Sequence, residues 1–205
     1  MATTATVLHP VTNDAEDSIT AQMPYTVKVT IRGSAAILFH RWSNEAVAEK
    51  AAAAKGSRAK KTDNLESYVY RCPNGNLGLP GEYLRQSIVS KREGSARYIQ
   101  DPRSPRKSAV DLFTAGIVTL TELADLGVKD ADYIDRRRVL IQRNAITRER
   151  PALREGWTAT IELMVLIPEY INRTTLLDVL GAAGRLVGVG DFRPTYGRFA
   201  VTNFD

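Results

Sequence analysis

The feature that most constrains this chain is a series of apolar residues at every second position in its last third. Every second residue is apolar in one run: Trp157, Ala159, Ile161, Leu163, Val165 and Ile167. Successive side chains of a strand point to opposite faces, so the run predicts a β-strand with one buried face, ended by Pro168. A helix capped by Thr174 or Thr175 and a last strand from Arg198 to Phe204 are predicted to follow.

Three earlier segments complete an order of elements. Residues 25–33 alternate in the same way, and residues 80–92 predict a helix with a proline in its first turn. Residues 134–149 are predicted to form a long strand. The resulting order, β-α-β-β-α-β, is that of the ferredoxin-like fold, an α+β class that RNA-recognition (RRM) modules share. We therefore expect one such domain in residues 24–205, with a four-stranded antiparallel sheet, both helices on one face, and large insertions at about residues 33–79 and 93–132.

The insertions are polar and basic. Residues 44–55 are rich in alanine and predict a helix, which an exposed loop with Lys60 and Lys61 follows. Asn74-Gly75 predicts a tight hairpin. Residues 93–110 combine prolines with basic residues, so no regular fold is assigned to them, and we expect a loop that is mobile when free and ordered on its ligand.

The charge of the chain is unevenly distributed. The net charge is +5, yet residues 1–23 hold Asp14, Glu16 and Asp17 and no lysine or arginine, so the remainder carries +8. The first 23 residues also lack a hydrophobic period, which predicts a flexible acidic tail. A basic body favours a polyanionic partner, although solubility alone also accounts for such a bias.

Composition argues against several classes of protein. The one cysteine, Cys72, rules out an intrachain disulfide, and with His9 and His40 as the only histidines we expect no zinc site. The apolar fraction is 43%, no run has the length of a membrane span, and no signal peptide is recognisable, so we expect a cytoplasmic protein. No phosphate-binding P-loop or nucleophile elbow is present, and no cofactor is expected.

The clearest functional motif is the glycine-rich run from Gly188 to Phe199. The run contains three glycines, one proline, two arginines and three aromatic residues. Backbone amides in such a loop can line a phosphate-sized concavity. The same glycines are also explained by a helix C-cap followed by a turn, and the sequence leaves both interpretations open.

Two motifs together resemble the RAMP superfamily of CRISPR-associated proteins. One is Leu79-Pro80-Gly81-Glu82-Tyr83-Leu84-Arg85, which is similar to that family's entry to its first helix; the other is the glycine-rich run before the last strand. The resemblance implies a ferredoxin-like protein close to the subunits that coat a guide strand. It also implies that Arg85 and the loop amides around Gly188, Gly190 and Gly197 lie near nucleic acid.

These observations predict a protein that binds single-stranded DNA or RNA with little sequence preference and coats it as a head-to-tail homo-oligomer. Lysine and arginine would contact phosphates and aromatic residues would stack on bases. The predicted binding residues, which include none for a metal, are Arg41, Trp42, Lys60, Lys61, Arg85, Lys91, Arg92, Arg97, Arg103, Arg106, Lys107, Arg136, Arg137, Arg143, Gly188, Gly190, Phe192, Arg193, Tyr196 and Arg198.

Two alternatives remain open from the sequence. RAMP proteins include metal-independent endoribonucleases that use a histidine, so His40 is a candidate general acid or base, although a lone histidine is more often structural. A scaffold whose arginines face acidic partners is the second alternative. We expect a binding protein and no enzyme.

Overall fold

The computed structural model describes residues 23–42, 44, 48, 51–52, 64–141 and 144–205, with residues 139–141 and 144–146 described by backbone alone. This part of the chain is a mixed α+β fold built on antiparallel sheets, which confirms the predicted fold class. The predicted tail lies outside the described residues, apart from the exposed Met23. Three predicted binding residues also lie outside them: Lys60, Lys61 and Arg143.

Twelve strands and three α-helices are present in the described part. In chain order the strands are β1 (Tyr25–Gly33), β2 (Ile37–Leu38), β3 (Tyr70–Arg71), β4 (Leu77–Pro80), β5 (Gln100–Asp101), β6 (Ser104–Ser108), β7 (Ile117–Thr119), β8 (Leu123–Asp125), β9 (Tyr133–Ile141), β10 (Asn144–Leu153), β11 (Thr158–Val165) and β12 (Phe199–Phe204). The helices are α1 (Gly81–Ile88), α2 (Val110–Gly116) and α3 (Arg173–Leu186). Short 3-10 turns occupy Leu65–Tyr68 and Ala96–Tyr98.

The central sheet has the strand order β12-β1-β11-β7, with every neighbouring pair antiparallel. The alternation seen in the sequence decides its faces, because Val27, Val29 and Ile31 of β1 are buried while the residues between them are exposed or partly exposed. Helix α1 packs on β7 and β11, helix α3 packs on β12, and the two helices contact each other. Both helices therefore cover one face of the sheet, as the ferredoxin-like order requires.

The prediction for residues 134–149 was wrong in its placement. These residues form the hairpin β9–β10, which pairs with β2 in a separate sheet, and the second strand of the core is the short β7 instead. Arg136, Arg137 and Arg138 put charge on both faces of β9, so this strand cannot lie beneath the helices of a central sheet. In β7, by contrast, Ile117 is buried.

The basic insertion is more regular than its composition indicates. Residues 93–110 contain a 3-10 turn and the hairpin β5–β6, and Ala96 and Ala109 are fully buried. The side chain of Asp101, also buried, accepts hydrogen bonds from the backbone and guanidinium of Arg103. Sequence patterns did not predict this regular structure, in which small apolar residues anchor the segment to the core. The mobility of the free loop stays a prediction.

Local signals set most element boundaries. The predicted hairpin at Asn74-Gly75 is confirmed, since β3 pairs with β4 and Gly75 has a φ of 85°. Helix α3 begins two or three residues earlier than predicted, because the side chain of Asn172 accepts a hydrogen bond from the backbone N–H of Thr175 at 2.9 Å. Among the described residues, no helix has both the length and the apolar character needed to cross a membrane.

Candidate nucleic-acid interface

The glycine-rich run forms a loop that lies on the segment containing β2. The N–H of Asp191 donates to the carbonyl of Leu38 at 3.0 Å, and the N–H of Gly197 donates to that of Ala36 at 2.8 Å. A Cβ at Gly190 would stand 2.8 Å from the Leu38 oxygen, and one at Gly197 would overlap Val189. These glycines are therefore required by close backbone approach.

The loop amides have partners inside the protein. Gly188, at φ 73°, donates its N–H to Ala183 at 2.9 Å and so ends helix α3 in a left-handed cap. Gly197 also donates internally, as described above. The cap-and-turn interpretation thus holds for these two residues, and their N–H groups do not line an anion cradle.

Three predicted binding residues meet where the hairpin β9–β10 contacts the glycine loop. The guanidinium of Arg137 lies 4.6 Å from the ring centre of Phe192 and 4.7 Å from that of Tyr196. It also donates to the Tyr196 hydroxyl at 2.7 Å and to Asp135 at 2.6 Å. Phe192 has a φ of 52°, which is rare for a non-glycine residue. Their mutual contacts give these three side chains a structural role.

Asp135 also sets the electrostatics of that contact. Its hydrogen bonds to Arg137 raise the pKa of the guanidinium above its usual value, with a further contribution from the Tyr196 hydroxyl. Arg137 therefore keeps its positive charge, but the negative charge of Asp135 balances it, so little net charge is left there to attract a phosphate.

A second ion pair fixes the other side of the loop. The buried Arg150 donates from Nε to Oδ2 of Asp191 at 2.9 Å and lies over the ring of Tyr68 at 4.7 Å. Nδ1 of His40 stands 3.7 Å from the same Asp191 oxygen, and its ring meets Tyr68 edge-on. The sequence interpretation missed this pair, because nothing local links residues 41 positions apart.

A row of arginine and tyrosine side chains runs from β2 across helix α1 to the glycine loop. The Arg41 guanidinium lies 5.4 Å from the Tyr70 ring centre, and the Tyr70 and Tyr83 hydroxyls are 3.5 Å apart. The positive charge of Arg193 acts on the Tyr83 hydroxyl, and that of Arg92 acts in turn on Arg193. We call these five residues the arginine–tyrosine strip. It joins residues from four separate parts of the sequence.

The charges of the strip lack carboxylate partners. Within the described residues, Arg41, Arg92 and Arg193 form no ion pair, and the carboxylate of Asp191 is already bonded to Arg150. Partial burial lowers the pKa of Arg193 and the positive charge of Arg92 lowers it further, while Tyr83 and Asp191 oppose the shift with smaller effects. Burial also raises the pKa of Tyr83 well above its usual range, so its hydroxyl stays a hydrogen-bond donor. A bound anion would relieve the repulsion between the two arginines.

Several other arginines predicted to bind nucleic acid form hydrogen bonds or ion pairs within the protein. Arg85 donates to the carbonyls of Ile117 and Thr114 and to Glu82, so it joins helix α1 to the end of α2. Arg103 pairs with Asp101, and Arg136 pairs with Glu149 at 2.7 Å.

The remaining predicted basic residues and Trp42 lie at the surface. The Trp42 side chain is 71% exposed, and its indole N–H donates to Asn44 at 2.8 Å. The exposed cations are Lys91, Arg97, Arg106, Lys107 and Arg198. Their roles in binding stay predictions.

Two other places, the open face of the central sheet and the acidic side chains, are weaker candidates for a ligand-binding site than the arginine–tyrosine strip. The open face carries threonines such as Thr30 and Thr160, whose hydroxyls lie 3.0 Å apart, beside Lys28 and Arg32. Across the described residues, no group of three or more histidine, cysteine, aspartate or glutamate side chains could hold a metal ion. The strip is thus the best candidate for an anion-binding surface.

Comparison with known proteins yields a similarity of fold. No family model and no curated protein matches the sequence. Among solved structures, the chain is similar to a chain of the Type III-B Cmr-beta bound to cognate target RNA, solved by cryo-EM. The TM-score is 0.51 at 9% sequence identity, with 94% of this chain covered. This chain spans 64% of the length of that chain, and a likeness at this identity shows the fold alone.

Proposed function

We propose that the protein binds single-stranded nucleic acid with little sequence preference and that the arginine–tyrosine strip contacts its phosphates. One observation carries the proposal: Arg92 and Arg193 form no ion pair in the described part of the chain, and the positive charge of Arg92 acts on the half-buried Arg193. Two guanidinium groups in that arrangement suit a phosphate, which accepts hydrogen bonds from both. The Tyr83 hydroxyl adds a third donor.

RNA is the first candidate for the ligand. One solved structure with a similar fold is a complex bound to target RNA, and the two motifs described above resemble those of RAMP proteins. Both observations support a role as a non-catalytic, nucleic-acid-binding subunit of an RNA-guided complex. Single-stranded DNA is the alternative ligand, because contacts to phosphates do not distinguish DNA from RNA.

The test is binding of full-length protein to fluorescein-labelled single-stranded RNA, single-stranded DNA and duplex of matched sequence, followed by fluorescence anisotropy across a salt series. We expect tighter binding to the single strands and a steep loss of affinity with salt, because phosphate binding releases counterions. Absence of binding at low salt, or affinity unaffected by salt, would refute the proposal.

Coating of the strand by head-to-tail oligomers is a further part of this proposal. It rests on the acidic composition of residues 1–23 and the basic composition of the rest, which make one end of a copy complementary to the body of the next. Electron microscopy on a long single strand, with the full chain and with a chain starting at Met23, tests it. Monomers on the strand in both samples would contradict head-to-tail coating.

A further inference from the structure

Helix α3 contains two interior glycines with different surroundings. A Cβ at Gly184 would overlap the backbone of Phe199, so the packing of α3 on β12 requires glycine there. A Cβ at Gly181 would meet only the side chain of Arg185, at 3.6 Å, which is an ordinary contact. Glycine destabilises a helix interior relative to alanine. The fold of the single chain thus explains Gly184 and leaves Gly181 unexplained.

Gly181 lies in a groove between α3 and β12. The groove has a volume of about 340 Å³, and Leu177, Ala200 and Val201 give it an apolar lining. The Leu177 side chain is 38% exposed although it is fully apolar. A glycine at the middle of such a groove lets a second backbone approach closely.

Opposite charges stand at the two ends of this groove. Asp178 lies three residues before Gly181 and Arg185 lies four residues after it, and both line the groove. They are about 10 Å apart along the helix axis, too far to pair with each other. Neither forms an ion pair with any other residue in the described part of the chain.

We propose that this face of α3 binds the same face of a second copy of the chain, about a two-fold axis that passes near Gly181. Two antiparallel α3 helices crossing there place Asp178 of each copy opposite Arg185 of the other, because the two residues lie at similar distances on either side of the crossing. Leu177 becomes buried, and the missing side chain at Gly181 permits the close approach. The surface is self-complementary in charge.

This contact differs from head-to-tail coating. A two-fold contact uses one surface twice and closes with two copies, whereas a head-to-tail contact joins two different surfaces and stays open. The residues of the arginine–tyrosine strip take no part in it. The inference therefore stands independently of nucleic-acid binding.

Charge reversal tests the pairing. Sedimentation velocity of the full chain over a concentration series is expected to show a monomer–dimer equilibrium for the wild type. Asp178→Arg and Arg185→Asp should each raise the dimer Kd by about tenfold or more, because two attractive pairs become two repulsive ones. The double variant should return the Kd toward the wild-type value, and Glu155→Arg, with an equal change of charge at another exposed site, should leave it unchanged.

Gly181→Leu tests the close approach. The variant should keep its circular dichroism spectrum and bind a short RNA as the wild type does, yet sediment as a monomer. Four results would overturn the inference: a monomeric wild type, single charge reversals without effect, a double variant that is not restored, or dimers of Gly181→Leu. Loss of helix in Gly181→Leu would also overturn it, since the chain's own fold would then require that glycine.

Discussion

Arg150 and Asp191 form an ion pair that joins strand β10 to the glycine loop, with Nε and Oδ2 at 2.9 Å and the arginine side chain 2% exposed. The backbone N–H of Asp191 also donates to Leu38, so the loop is fixed on two sides. Arg193 lies two residues further on in the same loop, so the contacts of Asp191 also restrict the position of the Arg193 backbone. The ion pair therefore stabilises the part of the glycine loop that carries the arginine–tyrosine strip residue Arg193.

Replacing Asp191 with alanine should strongly destabilise the protein. The change leaves the buried Arg150 without its carboxylate, and because the Asp191 side chain is 28% exposed we expect a cost of about 2 kcal/mol, below that of breaking a fully buried pair. Urea unfolding followed by circular dichroism measures the loss. The exposed Glu155→Ala serves as control and should change the free energy of unfolding by less than about 0.5 kcal/mol. A loss below about 1 kcal/mol in Asp191→Ala would show that the pair does not matter for stability.

Arg193→Gln and Arg92→Gln should weaken binding to single-stranded nucleic acid and flatten its salt dependence. Each lost phosphate contact lowers the magnitude of the slope of log K against log salt by about 0.7 for a single strand. Anisotropy titrations at several salt concentrations give this slope. Arg32→Gln removes an equal charge from the open face of the sheet and provides the matched control. If Arg32→Gln alters the slope and the strip variants do not, the interface is the sheet face.

Gly190→Ala should destabilise the glycine loop through two separate effects. The first is backbone strain at a positive φ, and the second is a clash of the added Cβ with Leu38. Gly190 has a φ of 80°, and its Cβ would stand 2.8 Å from the Leu38 oxygen. Gly75→Ala isolates the first effect, because Gly75 has a φ of 85° and a Cβ added there would meet nothing within 4 Å. We expect a cost of about 1 kcal/mol for Gly75→Ala and a larger one for Gly190→Ala. Equal costs in thermal or urea unfolding would mean that the loop adjusts without resistance from Leu38.

The hairpin β5–β6 should lose stability in acid. Hydrogen bonds from the Arg103 side chain hold the pKa of Asp101 below its usual value, so the unfolded state takes up a proton first as the pH falls. The contribution of the pair is present above the usual pKa of aspartate, about 4, and is lost as the pH drops through the lower folded-state pKa.

Arg103→Gln should therefore lower the Tm at neutral pH, and its difference from the wild type should shrink on acidification to about pH 3 or below. Arg106→Gln, a change of the same kind at an exposed position of β6, is the control. A Tm difference for Arg103→Gln that stays constant across this pH range would show that the Asp101 carboxylate is not responsible.

His40 is expected to have no catalytic role. Its Nδ1 lies 3.7 Å from Asp191, and its ring packs edge-on against Tyr68, which suits a residue that supports the loop. We expect labelled single-stranded RNA to remain intact with the wild type in the presence of EDTA. Cleavage that occurs with the wild type and disappears in His40→Ala would replace the binding proposal with the endoribonuclease alternative.

Much of the framework follows from local sequence signals. Alternation predicted β1 and β11, helical spacing predicted α3, and Asn74-Gly75 predicted the β3–β4 hairpin. These features depend on neighbouring residues, whose conformational preferences act within a few positions of the chain. The glycine loop was also located correctly, because its composition differs from that of the helix and strand that flank it.

Only the tertiary structure decided which strand completes the central sheet and which arginines are available. The sequence showed arginines at 85, 92, 137, 150 and 193 without distinguishing them. The fold pairs Arg137 with Asp135 and Arg150 with Asp191, and it leaves Arg92 and Arg193 without an ion pair in the described part of the chain, with the charge of Arg92 acting on Arg193. The physical reason is that an ion pair depends on distance in space, and the contacts that neutralise or expose each charge join residues that are far apart in the sequence.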